Sequence, residues 1–359
     1  MRLLHTSDWH LGRSLHRADL RDAQAAFIDH LVEVVQVEKV DVVLVAGDVY
    51  DRAVPPLDAV ALCESAFVRI REAGAKVVVI SGNHDSARRL GFGSALIDAS
   101  GVFLRTDLAL VDQPVVIDDV PFFGIPYLEP AAVGVRSHVE ALTGALDRIG
   151  KNAEAVVLAH CWVAGGVASD SERDITVGGV GAVPLSLFDG YAYTALGHLH
   201  GAQVLHDRLR YSGSPLAYSF SEAAHVKGSW LVELGGETRF IPAPVPRRLS
   251  RLHGTLSDLL TDPAYDGQQA DWLAVTLTDT ARPELAMEQL TRRFPHVLVL
   301  THEPAGVRRT DATYASRVSG RSDLQVAASF VEHVRGSAAS PDELTLLTDA
   351  FDAVRVAAG

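Results

Sequence analysis

The first eighty residues alternate two kinds of apolar pattern, and that alternation leaves few folds open. "RLLHTSD", "VDVVLVAGD" and "KVVVISGNHD" are short apolar runs that stop at small or polar residues, as buried strands do where they meet their loops. Between them, "DLRDAQAAFIDHLVEVVQV" and "PLDAVALCESAFVRIREAG" space their apolar residues at helical intervals. A strand-helix-strand-helix-strand order implies a largely parallel, covered sheet. Further on, "PVVIDDVPFFGIPY", "AEAVVLAH", "YAYTALGHLH", "LRYSGSPLAYSF", "GSWLVELGG" and "TRFIPAP" read mostly as strands with short connections. They are expected to form a second sheet packed on the first.

The best candidate boundary is "PAPVPRR", Pro242 to Arg248, because so many prolines fit neither a helix nor a central strand. Beyond it, "WLAVTLTD", "RPELAMEQLTRRF" and "HVLVLTHEP" predict a small strand-helix-strand unit. A polar, aperiodic linker and two amphipathic helical stretches follow, the second opening at Ser340-Pro341-Asp342-Glu343 like a capped helix. The expected division is 1–246, 247–305, a linker 306–322, and a helical tail 323–359.

The chain of 359 residues is 48% hydrophobic and 21% charged, enough to bury a sizeable core. Two cysteines, Cys63 and Cys161, make no disulfide framework and point to a reducing compartment. The opening "MRLLHTSDWH" does not read as a signal peptide. No apolar run nears the ~18–20 residues that span a bilayer. The expectation is a cytoplasmic protein with no membrane partner. The net charge of −13 argues against a free-standing nucleic-acid binder, although bound cations can reverse the sign of a site locally.

Five segments end an apolar run with metal-capable side chains: Asp8-Trp9-His10, Gly47-Asp48 with Asp51, Asn83-His84-Asp85, His160, and His198-Leu199-His200. Each sits at the C-terminal end of an expected strand, where sites in open α/β sheets gather. Asp8 and His10 are two apart and share a face of an extended segment, as do His198 and His200. Carboxylate with imidazole suits Mn, Fe or Zn, and the lack of thiolates argues against a structural zinc. Asp48 is a single carboxylate suited to bridging two cations, and Asn83 offers a neutral oxygen. Seven ligands exceed what one tetrahedral or octahedral ion accepts; they fit two ions sharing a bridge. Any one fragment alone is usually an ordinary structural feature. The ordered set is not.

This set resembles the calcineurin-like metallophosphoesterase superfamily, whose pattern is Asp-x-His, Gly-Asp-x-x-Asp, Gly-Asn-His-Asp/Glu, His and Gly-His-x-His. The segments "LLHTSDWHLGRSLH", "VLVAGDVYDRAVPP", "SERDITVGGVGAVPLSLF", "TALGHLHGAQ" and "RYSGSPLAYSFSE" are similar to the SbcD family of nuclease subunits. The resemblance implies an α/β fold: a two-sheet metallophosphoesterase sandwich flanked by helices, with a small α/β capping domain and a helical C-terminal tail. It implies two divalent ions, Mn²⁺ being the usual ones. Asp8, His10, Asp48 and His200 would hold the first, and Asp48, Asn83, His160 and His198 the second. His84 would face the phosphate as acid or charge stabiliser. Asp85 would either orient His84 or accept a local backbone bond. Arg52 stands where the family often has a histidine after Asp51, and is a candidate phosphate contact.

The activity implied is two-metal hydrolysis of DNA phosphodiester bonds, as exonuclease and endonuclease in end and hairpin processing during repair, recombination and replication. The implied partner is an SbcC-type coiled-coil ATPase gripped by the tail, with the chain a homodimer within a heterotetramer. The chain has no Gly-x-x-x-x-Gly-Lys-Ser/Thr loop, so ATP dependence would come from that partner. The competing readings are a stand-alone phosphoesterase on nucleotides or phosphoproteins, which has no need of the small domain and tail, and an inactive scaffold, which has no need of the ligands.

Overall fold

In the computed structural model, which describes residues 1–176, 181–304, 320–335 and 337–358, the strand signals resolve into two six-stranded sheets. The first runs Thr238–Pro242, Gly228–Glu233, Arg2–Thr6, Val42–Ala46, Lys76–Ile80, Val102–Leu104. Its last four strands are parallel, and Gly228–Glu233 pairs antiparallel with Arg2–Thr6. The second runs Gln203–His206, Leu209–Tyr211, Tyr193–Gly197, Val156–His160, Val120–Ile125, Val115–Ile117. Its inner four strands are parallel, and both edge strands are antiparallel to their neighbours.

Side-chain alternation explains how the sheets stack. On Val42–Ala46, Val42, Leu44 and Ala46 share one cluster with Val78, Ile80, Phe122, Val156, Leu158 and Tyr193, which fills the space between the sheets. Val43 and Val45 face the other way, against Phe27, Ile28, Leu31 and Val35 of the helix Arg21–Glu38 and Cys63, Ala66 and Ile70 of the helix Leu57–Glu72. The far face of the second sheet buries Ala141, Leu142, Ala145 and Leu146 of a helix His138–Ile149. Each large apolar side chain buried this way is worth about 1.5–3 kcal/mol of transfer free energy.

Two segments differ from the sequence expectation. The helix His138–Ile149 is not among the expected elements, although Ser137 caps it by accepting from Glu140 N at 3.2 Å and Ser-x-x-Glu is a start signal. "LRYSGSPLAYSF" is strand only over Leu209–Tyr211; beyond it the chain leaves the sheet and ends in a short turn, Phe220–Glu222. The reason is visible in the backbone: Ser214 N–H donates to the His200 carbonyl and Tyr218 N–H to the Glu222 carboxylate, not to a strand ladder.

The chain divides into two compact units between Ser250 and Arg251. The second unit carries a three-stranded sheet with Trp272–Leu277 between Leu249–Gly254 and Val297–His302. Leu252, Leu259, Leu273, Val275, Leu290 and Phe294 form its core. The strand-helix-strand elements are present, with Ala286–Arg293 as the helix; the strand Leu249–Gly254, interrupted by Arg251 and His253, has no clear pattern in sequence. The expected linker lies, up to residue 319, outside the described residues. The tail forms two helices, Asp323–Arg335 and Pro341–Ala358. Ser340 N donates to Glu343 Oε2 (2.7 Å) and Glu343 N to Ser340 Oγ (3.3 Å), a reciprocal cap. Phe330, Val334, Leu346 and Val354 are exposed. No helix among the described residues is long and apolar enough to cross a membrane.

The sheets come closest at the mouths of their central strands. A Cβ on Gly197 would stand 1.9 Å from the Ala46 carbonyl oxygen of the opposite sheet. Gly197→Ala is therefore expected to lower unfolding free energy by at least the ~1–3 kcal/mol of ordinary overpacking. A wild-type urea midpoint would mean that the sheets can part freely here.

Candidate metal centre

Three strands of the first sheet and two of the second end at one place. Asp8 and His10 follow Arg2–Thr6, Asp48 follows Val42–Ala46, and Asn83 follows Lys76–Ile80. His160 ends its own strand, and His198 and His200 follow Tyr193–Gly197. All are buried except Asn83, which is partly so. The loops that hold them are strained: Asp8, His10 and Asp48 have φ of 53°, 45° and 50°, and His198 has 105°. Non-glycine residues rarely adopt such values, which cost about 1–3 kcal/mol each and gather at functional sites. Gly47, at φ 91°, is required for a second reason, since a Cβ there would lie 2.4 Å from His160 Nδ1.

The side chains join in one chain of contacts. His198 N donates to both oxygens of Asp8 (3.1 and 3.2 Å). His10 Nε2 lies 3.1 Å from His200 Nε2 and 3.6 Å from Asp48 Oδ2. Asp48 Oδ2 is also 3.5 Å from His160 Nε2, so this carboxylate stands between two ligand groups. Asn83 Oδ1 lies 2.9 Å from His160 Nε2 and 3.2 Å from His198 Nδ1. Three sets of three have their donor atoms close enough to hold an ion: Asp8 with His10 and His200, Asp8 with Asp48 and His160, and His10 with Asp48 and His84.

Whether cations fit can be decided from the protons. His160 Nδ1 donates to the Ala46 carbonyl at 2.9 Å, and burial pushes its pKa down to about 3, so the ring is neutral and Nε2 carries a lone pair. That lone pair faces the Asn83 oxygen, another acceptor, while Asn83 Nδ2 is buried with no partner. Ser171 Oγ donates to Glu222, so it must accept from His200 Nδ1 (2.5 Å), which makes His200 Nε2 a second lone pair aimed inward. Burial raises Asp8 to about 6. Burial first, then the Asp85 and Asp8 charges, raise Asp48 well above the carboxylate range. Carboxylates and imidazole lone pairs turned on one another are stable only with positive charge among them, and divalent cations supply it and reverse these shifts. The donor set therefore fits two cations.

His84 stands at the rim. Its Nδ1 donates to the Asp51 carbonyl (2.8 Å), leaving Nε2 available, and its ring packs edge-on against His10 at 4.7 Å between centroids. Burial lowers its pKa. Asp85 needs correcting as a catalytic candidate. Its carboxylate accepts from the backbone N–H groups of Val49 (3.1 Å), Tyr50 (2.9 Å) and Gly82 (2.9 Å). It ties the Asp48 loop to the Asn83 loop, and the group that orients His84 is the Asp51 carbonyl. Arg52 is apart from the ligands, with its side chain 80% exposed and Asp51 beside it at 3.6 Å. Two other arginines approach the site more closely in their contacts. Arg173 Nη1 donates to the Asn83 carbonyl (3.3 Å), and Arg13 lies over Tyr218 and 3.6 Å from Asp51.

The residues behind His200 are not among the candidates read from sequence. Glu172 Oε1 accepts from His200 N (2.7 Å), and Lys227 Nζ donates to His200 O (2.7 Å) and to Glu222. A signal is present in "SERDITVGG" and "RYSGSPLAYSFSE", polar segments too long and too specific for plain loops.

Asp48→Ala is expected to lose both ions by metal analysis; two ions retained would refute its place between the groups. Asp85→Ala is expected to lower the melting temperature and weaken metal uptake together, because three buried amides lose their acceptor. His84→Ala should leave both unchanged.

Residues 1–131 match the family model described as Calcineurin-like phosphoesterase, and residues 245–335 match the SbcD_C model, described as Type 5 capsule protein repressor C-terminal domain. Among solved structures, the protein TT1561 of Thermus thermophilus is 13% identical over 68% of this chain and 99% of its own, with a TM-score of 0.40. A dimetal phosphatase from Danio rerio gives the same values. GAP50, the anchor in the inner membrane complex of Plasmodium, is 11% identical over 86% of this chain and 99% of its own, also at 0.40. The ligand residues of the first three motifs, Asp8, His10, Asp48 and Asn83, lie inside the span that is similar to the calcineurin-like phosphoesterases.

Proposed function

We propose that the protein is a DNA nuclease subunit that hydrolyses phosphodiester bonds at this centre and works with a coiled-coil ATPase. The observation that carries the hydrolytic part is the convergence of Asp8, His10, Asp48, Asn83, His160, His198 and His200 on one buried point, with His84 at its rim. When bound there, two divalent cations, Mn²⁺ being the expected ones, neutralise the diester and brace an in-line displacement. The chain's own residues do the rest. Asp48 spaces the two ligand groups, and the neutral amide oxygen of Asn83 adds no further charge. His84, with Nδ1 fixed on Asp51, offers Nε2 to exchange a proton or hydrogen bond with the departing oxygen. Arg13 and Arg173 bring positive charge to the substrate side.

The DNA substrate and the ATPase partner rest on other support: the match of residues 245–335 to the SbcD_C model and the sequence similarities at the motifs. The exposed apolar residues Phe330, Val334, Leu346 and Val354 of the tail helices suit a helical partner. Leu57, Phe92 and Leu96 are likewise exposed in the first unit and suit a second copy, the homodimer that the family resemblance implies. A partner with basic DNA-binding surface would compensate for this chain's net charge of −13.

The test is Mn²⁺-dependent cleavage of duplex DNA with and without the ATPase, alongside a small chromogenic phosphodiester. Cleavage of the small diester but never of DNA, even in the complex, would favour a stand-alone phosphoesterase. His84→Ala should reduce cleavage about 10²–10⁴-fold, the usual span for lost acid-base help. Deleting the residues after Gly320 should abolish co-purification with the ATPase and leave small-diester cleavage intact. A truncated chain that still binds the ATPase would move the contact elsewhere.

A further inference from the structure

The two ligand groups are supported from behind in different ways. His160 has its Nδ1 proton on the Ala46 carbonyl, part of a fully buried central strand. That support is fixed by the fold itself. His200 has no such carbonyl. Its Nδ1 lies 2.5 Å from Ser171 Oγ, a side chain delivered by a loop 29 residues earlier.

Ser171 is in turn committed. Its hydroxyl donates to Glu222 Oε1, and the other oxygen of Glu222 accepts from Lys227 Nζ. Glu222 is 0% exposed and Lys227 6%. Lys227 also donates to Ser214 Oγ (2.9 Å) and to the His200 carbonyl. The same loop holds the His200 backbone, because Glu172 Oε1 accepts its N–H. Arg13 Nη2 donates to the Ser171 carbonyl at 3.0 Å, which anchors the loop to the segment after His10.

We infer that Ser171 is a positioning residue for His200, backed by Glu222 and Lys227, so that one ion alone depends on this relay. The inference rests on the two-ion reading above. With Glu222 ionised and accepting from Ser171, the hydroxyl oxygen has only its acceptor role left, and it fixes the proton of His200 on Nδ1. Nε2 is then the ligand atom, held 3.1 Å from His10 Nε2. The buried anion behind the hydroxyl also makes the imidazole a better donor, as carboxylates do behind metal-bound histidines. His160 Nε2 and His198 Nδ1 face Asn83 Oδ1 instead, and although Arg173 of the same loop donates to the Asn83 backbone carbonyl, that contact does not pass through Ser171, so their ion should be indifferent to the relay.

The experiment uses the full chain, stripped of metal and titrated with Mn²⁺ by calorimetry. Wild type should take up two ions. In Ser171→Ala one ion should bind as in wild type and the other about 10–100-fold more weakly, the usual effect of losing such a partner. Ser171→Thr, which keeps the hydroxyl, should restore it. Nitrogen-15 spectra of the metal-free chain supply a readout that a merely structural serine would not move: a single Nδ1–H tautomer for His200 in wild type, a mixture in Ser171→Ala. Ser171 is only partly buried, so the alanine variant should fold; Glu222→Gln, which strands Lys227, is the harsher check. Both ions unchanged in Ser171→Ala, or both weakened alike, overturns the inference while the two-ion reading stands. Fewer than two ions in wild type overturns both.

Discussion

His160 Nδ1 donates across the sandwich to the carbonyl of Ala46, and the geometry of the centre is built around that one bond. It joins the ends of two strands from different sheets, Val42–Ala46 and Val156–His160. The carbonyl is free to accept because it is the last of its strand. The approach it demands excludes a side chain at Gly197 and at Gly47. The next residue after Gly47 is Asp48, and the next but two after Gly197 is His200, so the requirement for close sheets sets where the ligands begin. The same bond decides the tautomer of His160 and turns Nε2 toward Asp48 and Asn83. A structural hydrogen bond and a ligand orientation are here one interaction.

Strain follows from this closeness. Four ligand residues have positive φ, and at about 1–3 kcal/mol each their sum rivals the whole stability of a typical domain, about 5–15 kcal/mol. Such a site survives only if the surroundings over-determine it. The surroundings are the strands Arg2–Thr6, Val42–Ala46, Lys76–Ile80, Val156–His160 and Tyr193–Gly197, almost wholly buried, and the Asp85 carboxylate, which pins three amides at the turns. Asp85 thus contributes to chemistry at one remove: without it the loops of Asp48 and Asn83 would be free to relax from the strained geometry.

The sequence is legible where a local pattern carries the information. Apolar runs ending at Gly47, Ser81 and Gly197 announce strands, and the polar residues beyond them announce the ligands, because both signals lie within a few residues. It is not legible where the partners are far apart. Ser171 meets Glu222 across 51 residues and His200 across 29, and no periodicity records such a pairing. "LRYSGSPLAYSF" passes for a strand because its apolar residues alternate with small or polar ones; Leu209, Tyr211, Leu216, Tyr218 and Phe220 are all buried, but only the first two in the sheet. Asp85 is ambiguous for the same reason, its choice between His84 and the backbone depending on how two distant turns meet.

Charge at the centre is a local matter. The chain's net charge is −13, and at physiological ionic strength exposed charges more than about 8 Å away are largely screened. Inside, Asp8 and Asp48 are buried beside His10, His160 and His198, whose charged forms burial disfavours, and beside His200. Two divalent cations held there would bring four positive charges against two carboxylates, and Arg13 and Arg173 stand nearby, beside Asp51 and the Asn83 carbonyl. A phosphodiester approaching that mouth meets a positive field of short range on an acidic protein. Close contact is then rewarded, while long-range attraction is not.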